Sequence, residues 1–523
     1  MEVAVLTAGI PVLGICYGQQ LISYLLGGDV RKGDKGEFGL ALLDLTGEKS
    51  EILRGVKDHQ QVWMSHRDKV AAPPPGFRIV ATTSTCDTGA IEDSSRHLYA
   101  VQFHPEVVHT TEGMRVLRNF LFDICHCEKD WNAGQRIALI ENLIRERAGD
   151  RRIFFFVSGG VDSTVAFMLC LDALGSERVR GVYVDTGLMR AGETDFVRET
   201  FEGLGLVRIE ECADEFLTAL EGVREPELKR HIIGEQFVKI QERIIEQQGL
   251  LSGRWVLGQG TIYPDTIESG GTAKAATIKT HHNRVPGIQK LIDSGHIVEP
   301  LADFYKDEVR AIGRELGLAP QLLERHPFPG PGLAIRCLCA ETDEPVTVVP
   351  DGYLVPVRSV GVQGDSRSYA PVLAIDSFPT QASRLQDEAT ELVNRCAGVN
   401  RVIARVAARE PLSRQHVFAS TVTHGRLDLL READAIVRAI SHESGFDKDV
   451  WQFPVILVPV GSGQSRDSIV LRPIQSVDGM TADSVSMPDE LLHRMAERLM
   501  AIPEIAGVYY DLTHKPPGTI EWE

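Results

Sequence analysis

Six residues, Ser158-Gly159-Gly160-Val161-Asp162-Ser163, join an apolar run that reads as a strand, IFFFV at 153–157, to one that reads as a helix, TVAFMLCLDALG at 164–175. A strand that turns into a helix through two glycines opens a βαβ unit, which commits this part of the chain to a parallel sheet covered by helices. The residue types then say what the turn can hold. Glycines let backbone approach an anion closely, and N–H groups at a helix start favour negative charge. Ser158 and Ser163 add hydroxyl donors. Asp162 is the informative residue, because a carboxylate repels phosphate unless Mg²⁺ bridges the two. The turn lacks the GxxxxGK[ST] of a Walker loop. The plain alternative is a glycine-rich turn with no ligand.

Around this turn the chain falls into three blocks. Its 523 residues are too many for a single core. Residues 1–126 alternate short apolar runs with turn residues, and the polar stretch CHCEKDWNAGQR (125–136) reads as a linker. Residues 130–340 alternate strand-like and helix-like runs up to the breaker HPFPGPG (326–332). Residues 341–523 contain an internal repeat: LVPVRSVGVQGDSRSYAPVLAI starts at Leu354 and LVPVGSGQSRDSIVLRPI at Leu457. Order and spacing agree, with a helix-like segment after each copy, so about 350–406 and 450–523 read as a duplication, each strand, turn, strand, helix, strand.

The formal charge of −18 gives no bulk attraction for nucleic acid or an anionic membrane, so an anionic substrate needs a local basic site. Nine cysteines without paired CxxC spacing point away from a disulfide framework or a common zinc site, and towards a reducing cytoplasm. Neither a signal peptide nor a membrane span is expected.

A second constellation lies near the start. Gly14-Ile15-Cys16-Tyr17-Gly18 follows apolar PVLGI and precedes helical QQLISYLL. This is the pattern of a nucleophile elbow, a thiol exposed at a helix N-terminus. The strand-like YAVQF (99–103) runs into His104-Pro105-Glu106, where a carboxylate can orient a histidine base. The plain alternative for Cys16 is a buried structural thiol. His66-Arg67-Asp68 mimics a kinase catalytic loop, but no Asn follows at the needed spacing.

SGGVDS resembles the pyrophosphate loop of N-type ATP pyrophosphatases, which include GMP synthases, NAD synthetases and argininosuccinate synthetases. GQGTIYPDTIES (258–269), IKTHHN (278–283), FYKDEVR (304–310), HPFPGPGLAIR (326–336) and KPPGTIEWE (515–523) together resemble the GMP synthase family. Cys16, His104 and Glu106 resemble the triad of its class I glutamine amidotransferase domain.

The resemblance implies an α/β chain. It would hold an amidotransferase domain, a parallel-sheet ATP pyrophosphatase domain and α+β tandem C-terminal modules. It implies a ligase that adenylates xanthosine 5′-monophosphate (XMP) with ATP and Mg²⁺, then aminates it with ammonia from glutamine. Ser158, Gly159, Gly160, Val161, Asp162, Ser163 and Asp185 would meet ATP, Asp162 the metal, and Lys306 the pyrophosphate. Arg230, Asp365, Gln452, Lys515 and Glu521 would hold XMP, with the first repeat giving the acidic ligand and the second Gln452 and the tail. The protein would be a monomer or homodimer, the two repeats pairing within one chain. Three departures carry consequences. Thr186 stands where the family has Asn, which puts its adenosine contact in question. Arg67 replaces a glycine and would strain its loop if that glycine had positive φ. The first strands and a Gly-Gly oxyanion loop expected before the elbow are not in the sequence, so glutamine hydrolysis is expected to be impaired. NAD synthesis and a non-catalytic scaffold are the competing readings.

Overall fold

The computed structural model describes residues 3–47, 49–107, 109–129, 133–202, 206–263, 286–325, 328–363, 366–378, 389, 391–393, 395–396, 398–476 and 482–523. The chain divides into two compact units, Met1–Trp131 and Asn132–Glu523, and the break falls inside the polar stretch expected to be a linker.

In the first unit six strands form one sheet in the order β1-β6-β5-β4-β2-β3. They are β1 (Val12–Ile15), β2 (Asp29–Leu45), β3 (Gln60–Ala72), β4 (Arg78–Thr82), β5 (Ala90–Asp93) and β6 (Leu98–Val101). β1 and β6 are parallel and the other pairs antiparallel. The parallel pair decides the chemistry, because two strands separated in sequence deliver their C-terminal ends to the same place. β3 alternates strictly over its first half, so Val62, Met64 and His66 face inward. The expected strain at Arg67 does not arise. Arg67 lies exposed within β3, and the described non-glycine residues with positive φ are Cys16, His59, His97 and His126.

The second unit contains a wholly parallel sheet in the order β11-β10-β7-β8-β9: β7 (Arg152–Phe156), β8 (Val179–Asp185), β9 (Val207–Glu211), β10 (Trp255–Gly258) and β11 (Ile297–Val298). Strand order reverses between β7 and β10, where open α/β sheets bind ligands beyond the strand ends. The helix after β7 (Val161–Leu174) is apolar nearly all round because it is buried, with Val165, Phe167, Leu169 and Cys170 in the core.

A second sheet in this unit has the order β12-β13-β14-β15-β18-β17-β16. Its strands are β12 (Thr347–Val349), β13 (Gly352–Gln363), β14 (Ser366–Ile375), β15 (Arg401–Ala408), β16 (Val455–Val458), β17 (Asp467–Leu471) and β18 (Ile505–Asp511). Its pairings mirror one another about the centre. β13/β14 and β16/β17 are antiparallel hairpins, β14/β15 and β17/β18 are parallel, and β15 meets β18 antiparallel.

Candidate active sites

In the first unit Cys16 follows β1 and caps the helix α1 (Tyr17–Leu25). Its backbone is strained, with φ 50° and ψ −104°, as a sharp strand-to-helix turn demands. Gly14 has to be glycine: a Cβ there would lie 2.7 Å from the Gly18 carbonyl carbon and 2.6 Å from Ile22. The Cys16 N–H donates to Val101 O at 2.8 Å, tying the elbow to the end of β6. Three residues past that end stands His104. Gly113 lets the loop pass, since a Cβ there would sit 2.0 Å from Pro105 O.

His104 Nδ1 lies 2.6 Å from Glu106 Oε1. Hydrogen bonds with the Cys16 sulfur and then with Glu106 raise the imidazolium to about 10, against partial burial. Around the thiol, Gln102 Nε2 donates to Sγ at 3.6 Å, and Sγ lies 3.7 Å from Ser65 O. The three expected residues thus form one constellation. Gln102 and Ser65 were not expected. The signal for Gln102 was a polar residue inside the apolar run YAVQF.

In the second unit the Ser158–Ser163 turn leaves β7 at the switch point and enters α2 (Val161–Leu174). Gly159 has φ +74°, and the turn is drawn tight by Ser158 Oγ 2.9 Å from Ser163 Oγ and by Ser163 Oγ donating to Gly160 O at 3.1 Å. Gly260, after β10, packs against the start of α2; a Cβ there would lie 2.7 Å from Ser163 N. Asp162 is in the first turn of α2, and Lys306 Nζ is 3.6 Å from its Oδ2. Lysine and carboxylate therefore converge on the turn from different elements. One carboxylate beside hydroxyls and a phosphate cradle is the donor set Mg²⁺ takes together with substrate phosphates.

Asp185, at the end of β8, is held by its own loop through both carboxylate oxygens. Oδ1 accepts from Gly187 N at 2.8 Å and Oδ2 from Thr194 Oγ1 at 2.8 Å, so it shapes the loop after β8. Thr186 is buried and accepts from Leu188 N at 3.2 Å.

Of the residues expected to hold XMP, Arg230 and Glu521 come together at the C-terminal tail. Glu521 takes two hydrogen bonds from fully buried Arg336, at 2.9 and 2.7 Å. Burial opposes its charge, but Arg336, then Arg190 and Arg230, hold its carboxyl below the usual range. Arg230, on α3 (Pro226–Gln247), donates to Glu523 O. Its neighbour Lys229 is wholly buried, ion-paired to Glu523 and donating to Ala334 O at 3.0 Å. The Phe328 ring lies under both Arg190, at 4.5 Å, and Arg336, at 5.2 Å. Gln452 is buried, pairs through its backbone with Ile474, and its Oε1 has no partner among the described residues. A short ladder runs on from Ile474 through Ser484 and Ala482 to Lys515. Asp365 lies outside the described residues, as do 264–285, which hold the second half of GQGTIYPDTIES and all of IKTHHN, and 326–327 of HPFPGPG.

Three family models match the chain: glutamine amidotransferase class-I over residues 2–124, NAD synthase over 134–210 and the GMP synthase C terminal domain over 439–522. A probable glutamine-hydrolysing GMP synthase of Leptospira interrogans is 42% identical, covering 98% of this chain and 88% of the relative. The glutamine-hydrolysing GMP synthases of Syntrophomonas wolfei and Streptomyces avermitilis are 39% and 37% identical, each over 99% of this chain, and 86% and 85% of their own lengths are covered. The chain belongs to the glutamine-hydrolysing GMP synthase family. The NAD synthase match spans only the part of the synthetase carrying the SGGVDS turn, which the two families share, so NAD synthesis loses its support.

Proposed function

We propose that this GMP synthase family member makes GMP from XMP, ATP and glutamine, with Cys16–His104–Glu106 releasing ammonia and the SGGVDS turn running the adenylation. The reading rests above all on Lys306 and Asp162 converging on the turn at the switch point. The xanthine O2 attacks the α-phosphorus of ATP, pyrophosphate leaves, and ammonia then displaces AMP from C2. Turn N–H groups and the Ser158 and Ser163 hydroxyls bind phosphate oxygens. Lys306 leaves Asp162 for the departing pyrophosphate, supplying compact positive charge where negative charge builds. Bound at Asp162, Mg²⁺ would neutralise phosphate charge. Arg230, Gln452, Lys515 and Glu521, with Asp365, bind XMP, and Arg336 holds Glu521 in place.

At the amidotransferase site Cys16 supplies the attacking sulfur, and Glu106 orients His104 for proton transfer. The Tyr17 N–H, at the start of α1, serves the oxyanion. Activity in the cytoplasm fits the chemistry; among the described residues no helix is long and apolar enough to cross a membrane. The test is Cys16→Ala. GMP formation from glutamine should disappear while formation from ammonium continues at the parent rate. Loss of both would mean that the two reactions are not divided between these sites.

A further inference from the structure

The first unit holds a second constellation that the amidotransferase chemistry does not use. Glu37 on β2 and His66 on β3 are directly opposed in the antiparallel ladder. Cys86 comes from the turn between β4 and β5, which is closed by Thr83 N donating to Cys86 O at 2.8 Å. One donor atom from each residue falls within 4.8 Å of the other two. All three are sequestered: Cys86 is 0% exposed, and the His66 and Glu37 side chains are 6% and 13% exposed.

The imidazole fixes the argument. His66 Nδ1 is 3.0 Å from the Asp68 carbonyl, which can only accept, so Nδ1 carries a proton. His66 Nε2 is 3.1 Å from Glu37 Oε2. Two arrangements satisfy that contact: a doubly protonated ring paired with the carboxylate, or a neutral ring whose Nε2 lone pair and the carboxylate share a cation. A histidine whose other nitrogen donates to a backbone carbonyl is the usual second-shell arrangement of a metal ligand. Imidazole, thiolate and carboxylate are the donors that suit zinc. A tetrahedral zinc with bonds of about 2.0–2.3 Å spaces its donors about 3.3–3.8 Å apart, so small side-chain shifts close the cluster.

Charge points the same way. A dication with one thiolate and one carboxylate is neutral overall, as a buried site needs.

We propose that Glu37, His66 and Cys86 form a Zn²⁺ site, with water in the fourth position. Binding replaces the Cys86 thiol proton with a metal bond and releases it to solvent, and the His66 Nε2 lone pair takes the metal. The metal pins the β2–β3 ribbon to the β4–β5 turn. The same ribbon presents Ser65 O to Cys16 and Asp68 O to the Gln20 side chain at 2.7 Å, so the site braces the wall beside the nucleophile.

The test uses the full chain, stripped with chelator and titrated with Zn²⁺ or Co²⁺. One equivalent should bind, and Co²⁺ should give a thiolate charge-transfer band in the near ultraviolet. Cys86→Ser should abolish that band, and Glu37→Gln should weaken Co²⁺ binding by at least about tenfold, as even outer-shell losses do. Circular dichroism matching the parent shows that each variant folds, and Cys125→Ser/Cys127→Ser is the control for adventitious thiols. No stoichiometric binding, or a band that survives Cys86→Ser or vanishes in the control, overturns the proposal and leaves a His66–Glu37 ion pair.

Discussion

At the scale of single residues, each site turns on one charge held by its neighbours. His104 is raised to about 10 by Cys16 and Glu106, above the ordinary 6.5. Such a pair contributes fully to stability below the unfolded value and is lost as pH rises through the folded one. The Cys16–His104–Glu106 array therefore weakens between about pH 6.5 and 10. Glu106→Gln removes one of the two hydrogen bonds responsible. His104 should then titrate at least one unit lower, read from its imidazole NMR shifts, and an unmoved titration would show that Glu106 does not hold the imidazolium. In the synthetase site Lys306→Ala should lower XMP-dependent pyrophosphate release by about 10²–10³, the usual cost of losing one charge stabiliser. Parent rates in that variant would remove Lys306 from the adenylation step.

Among the elements, the second sheet holds the C-terminal tail, which carries residues proposed to bind XMP. Arg401 at the start of β15 and Arg472 just past β17 both reach the fully buried Asp511 at the end of β18, at 2.9 and 2.7 Å. The same arginines hold the tail: Arg401 donates to Thr519 O and Glu521 O, and Arg472 to Thr513 O and Thr519 O. Trp522 adds its indole N–H to Asp511 at 2.9 Å. Burial opposes the Asp511 charge, but Arg472 and Arg401 outweigh it and keep its carboxyl below 3.8. Its contribution is therefore present above that value and is lost only as pH falls through the lower folded one. Asp511→Asn leaves two buried guanidinium groups uncompensated and should cost about 3–5 kcal/mol in denaturant unfolding, with weaker XMP binding as the tail loosens. A loss under about 1 kcal/mol would mean that water or the carbonyls already satisfy the arginines.

For the whole molecule, we propose that residues 350–406 and 450–523 are two copies of one module, a reading supported by the symmetry of their strand pairing. A local two-fold between β15 and β18 relates hairpin to hairpin and parallel pair to parallel pair. Two copies of a module meeting across a two-fold are what an isologous homodimer would otherwise supply. With that contact made inside one chain, the protein should be monomeric at micromolar concentration. Light scattering that gives twice the 57.6 kDa of the chain on dilution would count against internal pairing.

The sequence by itself determined the chemistry at the chain's turns. SGGVDS and G-x-C-x-G are local, because the strand, the glycines, the helix start and the reactive side chain lie within a few residues of one another. His104 with Glu106 was legible for the same reason. Tertiary structure alone decided which distant groups meet. Cys16 reaches His104 only because β1 and β6 pair in parallel. Lys306 reaches Asp162 only because its helix packs near the switch point. Charged residues are the least legible locally. Taken singly, ELKRH has the composition of a solvated helix face and the two-proline tail that of a loose end, yet Lys229 is wholly buried and the tail is held by arginines. Burial of a charge depends on a partner, and these partners, Glu523 for Lys229 and Arg336 for Glu521, stand 185 residues or more away in sequence. The hydrogen bonds of Asp185 to Gly187 and Thr194 likewise depend on the path of residues 186–194, which no local pattern announces.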